Sequence, residues 1–240
     1  MAFDQDNTTR FGLIALATDL TSEGDAGRAF SGSGIVMHTT RIAFENPTTP
    51  ASLTRMQPLL TQAARLIVPD VPLAAIWYAC TAASALIGDG PVTAAIRAAR
   101  PHVPVVTPPA AAIQAFRRLG ATRIAVLAPY QAQTTQGLLS YFNANGLEIV
   151  NTLSLGIDDD RDMARVSAKS IIDAARAADH PQAEALFVSC TALPAMAIVD
   201  LIEAAVHKPV VTANQASLWH LAEICGTRLQ AQCRLFATQP

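Results

Sequence analysis

The chain has 240 residues, a formal charge of −2, and 51% hydrophobic against 15% charged residues. That balance gives no basic footprint for nucleic acid, and no local Lys/Arg cluster supplies one. Pro, Arg, Asp or Gly interrupts every apolar run, which excludes a membrane-spanning helix, and the polar stretch Met1–Arg10 lacks the apolar centre of a signal peptide.

In chain order, strand and helix signals alternate. Phe11 to Ala17 reads as a strand, followed by the polar loop Thr18 to Gly24, and Ile35 to Ala43 as a second strand. Thr49 and Pro50 then suit the N-cap and first position of an amphipathic helix carrying Leu53, Met56, Leu59, Leu60, Ala63, Ala64 and Ile67. The apolar run Leu73 to Tyr78 reads as a buried strand ending at Cys80-Thr81-Ala82, and the helix after it is broken at Gly88-Asp89-Gly90-Pro91. Pro104 to Thr107 is a short strand, and Ala110 to Leu119 a helix closed by Gly120. In the second half come a strand at Arg123 to Ala128, a helix to Asn145, a strand at Glu148 to Leu155, and a helix at Asp162 to Ala178. The strand Ala185 to Ser189 ends at Cys190-Thr191-Ala192, with a helix to Val206 after it. Pro209 to Thr212 is the last strand and Asn214 to Cys225 the last helix. This alternation predicts a doubly wound parallel α/β fold.

The order repeats. Thr9-Arg10, Cys80-Thr81-Ala82 and Pro104-Val105-Val106-Thr107 return about 110 residues later as Thr122-Arg123, Cys190-Thr191-Ala192 and Pro209-Val210-Val211-Thr212. Two similar lobes related by a pseudo-twofold axis are therefore expected, 1–115 and 116–213, with the C-terminal helix (about 214–240) completing the first. Ligands of open parallel sheets sit beyond the carboxyl ends of the strands, so Cys80, Cys190, Asp19 and Tyr130 should converge on one cleft. A thiol at a strand end that starts a helix meets unpaired amides and the positive dipole end, an arrangement that favours thiolate. Cys225 and Cys233 fit small buried hydrophobes. With neither a C-x-x-C pair nor a secretory signal, the four cysteines imply free thiols in a reducing cytoplasm, and no metal site. Tyr130 could equally be a turn aromatic. Asp158, Asp159 and Asp160 either cap the following helix or belong to a loop near the cleft, and Asn214 is a helix N-cap, a cleft donor, or both.

A strand-end cysteine in each of two mirrored lobes resembles the cofactor-independent aspartate/glutamate racemase superfamily. Gly12-Leu13-Ile14 with the loop Thr18 to Glu23, Tyr130 after Ile124–Ala128, and Ser189-Cys190-Thr191 are similar to its maleate isomerase and arylmalonate decarboxylase branch. Glu45-Asn46-Pro47-Thr48-Thr49, Asp159 to Arg165 and Thr212-Ala213-Asn214-Gln215-Ala216 are similar to the ectoine-utilisation protein A group. The resemblance runs from Arg10 to Cys225. It implies an isomerase or racemase of a small carboxylate, with catalytic Cys80 and Cys190 and with Thr18, Asp19, Thr81, Tyr130, Thr191 and Asn214 around the substrate. It further implies no cofactor and a homo-oligomer, dimer or tetramer.

By the same resemblance the Cys80 position is the nucleophile of maleate isomerases and the Cys190 position its acid/base partner, while arylmalonate decarboxylases keep only the second. Asp19 departs from the pattern, because maleate isomerases place an asparagine there. A carboxylate would repel a dicarboxylate and suit an ammonium or amide N–H, which points to an amino-acid-like compound such as a diaminobutyrate derivative. A decarboxylase, or a silent ligand-binding accessory protein of a catabolic pathway, are the alternatives.

Overall fold

The computed structural model describes residues 6–230 and 233–239. Residues 1–5 of the expected first lobe, and 231, 232 and 240 of its expected C-terminal completion, lie outside them. Two four-stranded sheets carry the same parallel order. In the first, β1 (Arg10–Leu16) lies between β2 (Val36–Ile42) and β3 (Ala75–Tyr78), with β4 (Val105–Val106) outermost beyond β3. In the second, β5 (Arg123–Ala128) lies between β6 (Glu148–Ser154) and β7 (Ala185–Val188), with β8 (Val210–Thr212) beyond β7. The doubly wound two-lobed architecture is thus present, and each cysteine motif leaves the carboxyl end of the equivalent strand, β3 or β7.

The inner strands are buried on both faces, which is why their sequences read as unbroken apolar runs. Ala75–Tyr78 and Ala185–Val188 are buried throughout. Phe187 anchors the second core, with Phe142 edge-on at 5.0 Å and Phe116 at 6.2 Å between ring centroids. Helix α6 (Pro108–Leu119) ends at Gly120, whose φ of +69° is the left-handed cap. The last long helix, α11 (Ala213–Ile224), packs against α6 and reaches β3, β4 and β8.

Three helices differ from their sequence expectation. The stretch after Thr49 is not one helix but α2 (Pro50–Thr54), a 3-10 turn (Gln57–Leu59) and α3 (Leu60–Leu66). Pro58 lacks the N–H that an α-helix needs there and breaks the ladder. Thr49 does cap α2, in a reciprocal capping box with Ser52. The stretch 162–178 splits into a single turn, α8 (Asp160–Met163), and α9 (Ala168–Ala178), because Ser167 caps a fresh start through Ser170 N–H at 3.1 Å. After Cys190 the chain forms an irregular loop and a 3-10 turn before α10 (Val199–Val206). By contrast Cys80 is directly the N-cap of α4 (Thr81–Ile87).

The lobes meet where α4 packs against α7 (Ala132–Ala144). Gly137 on α7 leaves the room: a Cβ there would come within 2.4 Å of Leu86 Cδ2. Tyr141 of α7 also donates its hydroxyl to Asp89, at the start of α5 (Asp89–Arg97) in the first lobe.

Candidate active site

Cys80 and Cys190, 6% and 8% exposed, line one cavity between the lobes. Leu16, Asp19, Phe44, Thr81, Tyr130, Asp160, Met163 and Thr191 are among the residues that complete it. Its volume is about 20 Å³, room for about one water molecule, so a substrate enters only when the walls part. A wider groove of about 540 Å³, beside Arg65, Arg100 and His102, holds no cysteine.

The two thiols are presented differently. Cys80 has ordinary extended backbone at φ −148° and heads α4. Cys190 sits at φ +85°, a conformation costly for a residue with a Cβ, and persists because its neighbours are pinned. Ser189 N–H bonds Leu127 O at 2.8 Å, Thr191 Oγ1 bonds Ala79 O at 3.0 Å, and Thr21 Oγ1 bonds Ala192 O at 2.8 Å. Asn214 Nδ2 holds the Thr191 carbonyl at 2.9 Å and the buried Asp25 carboxylate at 2.7 Å.

Burial pushes both thiols up, Cys80 to about 12 and Cys190 to about 11. For Cys80 only the Ala83 amide opposes this, while Cys190, Asp160 and Asp19 add to it. For Cys190 the Tyr130 hydroxyl and the Ala192 and Leu193 amides pull down, and Asp160 pushes up. The expectation of thiolates favoured by helix starts is therefore corrected for the closed cavity. Helix α4 has only 7 residues, Cys190 heads no helix at all, and loss of water outweighs the few amides that remain.

The expected substrate contacts divide. Thr81, Asp19, Tyr130 and Thr191 line the cavity. Tyr130, 3% exposed, is no wet turn aromatic: it lies against Ser189 Oγ at 3.4 Å, and burial raises its hydroxyl strongly. Thr81 Oγ1 is buried and has no hydrogen-bond partner. Asp19 Oδ1 accepts the Thr21 and Ser22 amides at 2.7 and 2.8 Å, and Oδ2 accepts Ser22 Oγ at 2.6 Å. The carboxylate thereby caps α1 (Ser22–Ala29), and burial still raises it above its ordinary value against those donors. Asn214 and Thr18 are not among the lining residues. Asn214 acts from behind the Cys190 loop, and Thr18 donates its hydroxyl to Asp160.

Asp160, which by sequence suits a helix cap or a loop near the cleft, lines the cavity. The three acids do three things: Asp158 O accepts Thr48 N–H at 2.7 Å, Asp159 caps α8, and Asp160 turns inward. Asn46 Nδ2 bridges Asp159 at 2.8 Å and Asp160 at 2.9 Å, closing the β2–α2 loop of one lobe onto the α8 turn of the other. The stretches around Asn46 and around Asp160 are thus in contact. Among the described residues no cluster of His, Cys, Asp and Glu could hold a metal, and no helix is long and apolar enough to cross a membrane.

Fold and site together define a two-lobed α/β protein whose lobes each contribute one strand-end thiol to a shared closed cavity. The model of the arylmalonate decarboxylase family matches residues 92–236, more than half of the chain. The protein belongs to that family. Maleate isomerase of Nocardia farcinica is 24% identical over 225 residues, 88% of either chain. Maleate isomerase of Geobacillus stearothermophilus is 28% identical over 119 residues, 49% of this chain, and the matched stretch spans about half of that relative (47%). Arylmalonate decarboxylase of Bordetella bronchiseptica is 27% identical over 143 residues, 59% of each chain. Among solved structures, a cysteine-to-alanine variant of Pseudomonas putida maleate isomerase with maleate superposes with a TM-score of 0.87 at 22% identity, covering 96% of this chain and 98% of that one. A cysteine-to-serine variant of the Nocardia farcinica isomerase, carrying a covalently bound succinylcysteine intermediate, gives 0.88 at 21%, covering 97% and 99%. These likenesses show the shared fold.

Proposed function

We propose that the protein is a cofactor-independent isomerase of a small carboxylate, working through Cys80 and Cys190. The observation that carries this is their convergence, from opposite lobes, on one cavity. Two thiols that face a substrate carbon from opposite sides need only differ by one proton. A thiolate removes the proton on one face, the thiol opposite returns one on the other, and the pair ends with its proton exchanged between the sulfurs. For an activated double bond the thiolate adds instead, the carbanion takes the partner's proton, and rotation and elimination reverse both steps in the other geometry. Because burial raises both thiols, the first proton leaves while the walls are apart and water reaches the sulfurs. Thr81 Oγ1 and the Tyr130 hydroxyl are neutral donors for the charge that develops on the substrate carboxylate.

An amino-acid-like carboxylate, such as an intermediate of ectoine breakdown, is the substrate favoured by the Asp19 carboxylate in the wall and by the resemblance of the stretches around Asn46 and Asp160 to the ectoine-utilisation protein A group. Decarboxylation is the second reading, since the family match at 92–236 contains Cys190 and not Cys80. Proton NMR in heavy water over maleate, amino acids and acetylated diaminobutyrates tests both. Exchange or isomerisation that needs both cysteines supports the isomerase. Carbon dioxide release that survives Cys80→Ala supports the decarboxylase and sinks the paired reading.

A further inference from the structure

The charge of the cavity wall is unbalanced. Asp19 and Asp160 line it from opposite lobes, 3% and 5% exposed, and no Lys, Arg or His is among the lining residues. Cations nearby are committed elsewhere: Arg161 pairs with Asp159, and Arg41 with Glu23. Asp19 spends both oxygens on the first turn of α1. Asp160 is different, since Oδ2 takes one neutral donor, Thr18 Oγ1, and Oδ1 another, Asn46 Nδ2 at 2.9 Å. A carboxylate offers about four acceptor positions, so Asp160 retains acceptor capacity toward the cavity. Thr81 Oγ1, buried and without a partner, lines the same cavity as an unused donor and acceptor.

We propose that Asp160 sets substrate specificity, selecting a carboxylate that also bears a cationic nitrogen and rejecting dicarboxylates. The inference rests on the isomerase reading of this site and names the substrate's second group. A dianion would bring its charges toward two buried carboxylates in a wall without a lining cation, Arg41 reaching Asp19 only at its main-chain carbonyl, at 2.9 Å, and like-charge juxtaposition in a desolvated cavity is strongly unfavourable. An ammonium meets Asp160 in a charge-assisted hydrogen bond, while the carboxylate of the same molecule takes the Thr81 hydroxyl. The position of Asp160 on the α8 turn couples this choice to the contact between lobes, because the bond to Asn46 joins them at the cavity wall.

The test measures how diaminobutyrate, aminobutyrate, maleate and succinate protect Cys80 and Cys190 from iodoacetamide, read by mass spectrometry. In the wild type, diaminobutyrate should protect at a concentration roughly tenfold or more below that of maleate, and in Asp160→Asn this preference should vanish or invert. Asp160→Glu, which keeps the charge, should keep the order, and Asp162→Asn on the exposed neighbour should leave it unmoved. Better protection by maleate in the wild type, no protection by the amino compounds at millimolar concentrations, or an order unchanged in Asp160→Asn would each overturn the proposal. Should Asp160→Asn not fold, Asp160→Ser is read in its place, and a wild-type order retained there overturns the proposal. Failure of the isomerase reading registers elsewhere, as turnover that persists in Cys80→Ala or Cys190→Ala, and ligand order in the wild type does not depend on it.

Discussion

Thr191 Oγ1 donates to the carbonyl of Ala79 across 3.0 Å, so the residue after one cysteine is tied to the residue before the other. The bond crosses between lobes beside the cavity that Thr191 lines and couples the positions of both thiols. Disturbing either strand end therefore moves both sulfurs, and the site behaves as one unit.

From that coupling, Cys80→Ala and Cys190→Ala should each lower kcat/KM by about three orders of magnitude or more, and the double variant should be little worse than either. Steady-state rates on whichever substrate the NMR panel identifies check this. Multiplicative losses in the double variant would mean that the two thiols act independently.

Burial of the thiols gives the pH dependence its sign. A thiol whose folded value lies above the unfolded one leaves the unfolded chain with fewer bound protons in the window between them. That part of the stability is complete below the ordinary thiol value of 9.0 and is lost as pH rises toward about 11 for Cys190 and about 12 for Cys80. Urea midpoints of the wild type should therefore fall across this alkaline window more steeply than those of the Cys80→Ser/Cys190→Ser double variant. Equal slopes would show that water reaches both sulfurs in the folded protein.

Asn46 ties the lobes together beside the cavity, holding Asp159 and Asp160 at 2.8 and 2.9 Å. In Asn46→Ala both carboxylates lose that donor, and opening should become more populated by roughly tenfold, about 1.4 kcal/mol. Alkylation of Cys80 should accelerate by a similar factor, and amide exchange should rise at Thr48, whose N–H bonds the Asp158 carbonyl. Unchanged labelling would place the moving part elsewhere.

Asp19 carries a structural load separate from the ligand. Asp19→Ala removes the acceptor of two amides and one hydroxyl at the start of α1 and should cost about 1–2 kcal/mol of stability, with Asp19→Asn losing less. Chemical denaturation resolves the difference. If Asp19→Ala is as stable as the wild type, the cap is not what holds α1.

Gly137 tests the contact between lobes. Gly137→Ala puts a Cβ within 2.4 Å of Leu86 Cδ2, and such overpacking should cost about 1–3 kcal/mol. Leu86→Ala in the same chain should recover part of the lost melting temperature, because the two sites share one volume. Additive losses would show that the helices shift apart without strain.

Much of this protein is legible along the chain. Unbroken apolar runs such as Ala185–Val188 mark strands buried on both faces, and the repeated Cys-Thr-Ala after β3 and β7 follows from one topology used twice. Thr49 and Gly120 announce their helix ends because caps obey local rules, satisfied within three or four residues. Contacts between distant segments were decided only by folding. Asp158, Asp159 and Asp160 share one residue type, yet only the chain direction at α8 sends Asp160 alone into the cavity, toward Thr18 in the other lobe. Asn214 read equally as cap or ligand contact, and packing against Asp25 and the Thr191 carbonyl withdraws it behind the wall. The thiols make the same point: a strand end before a helix favours thiolate locally, but the proton stays because closure of two lobes removes the water, and closure is not written in any one stretch of sequence.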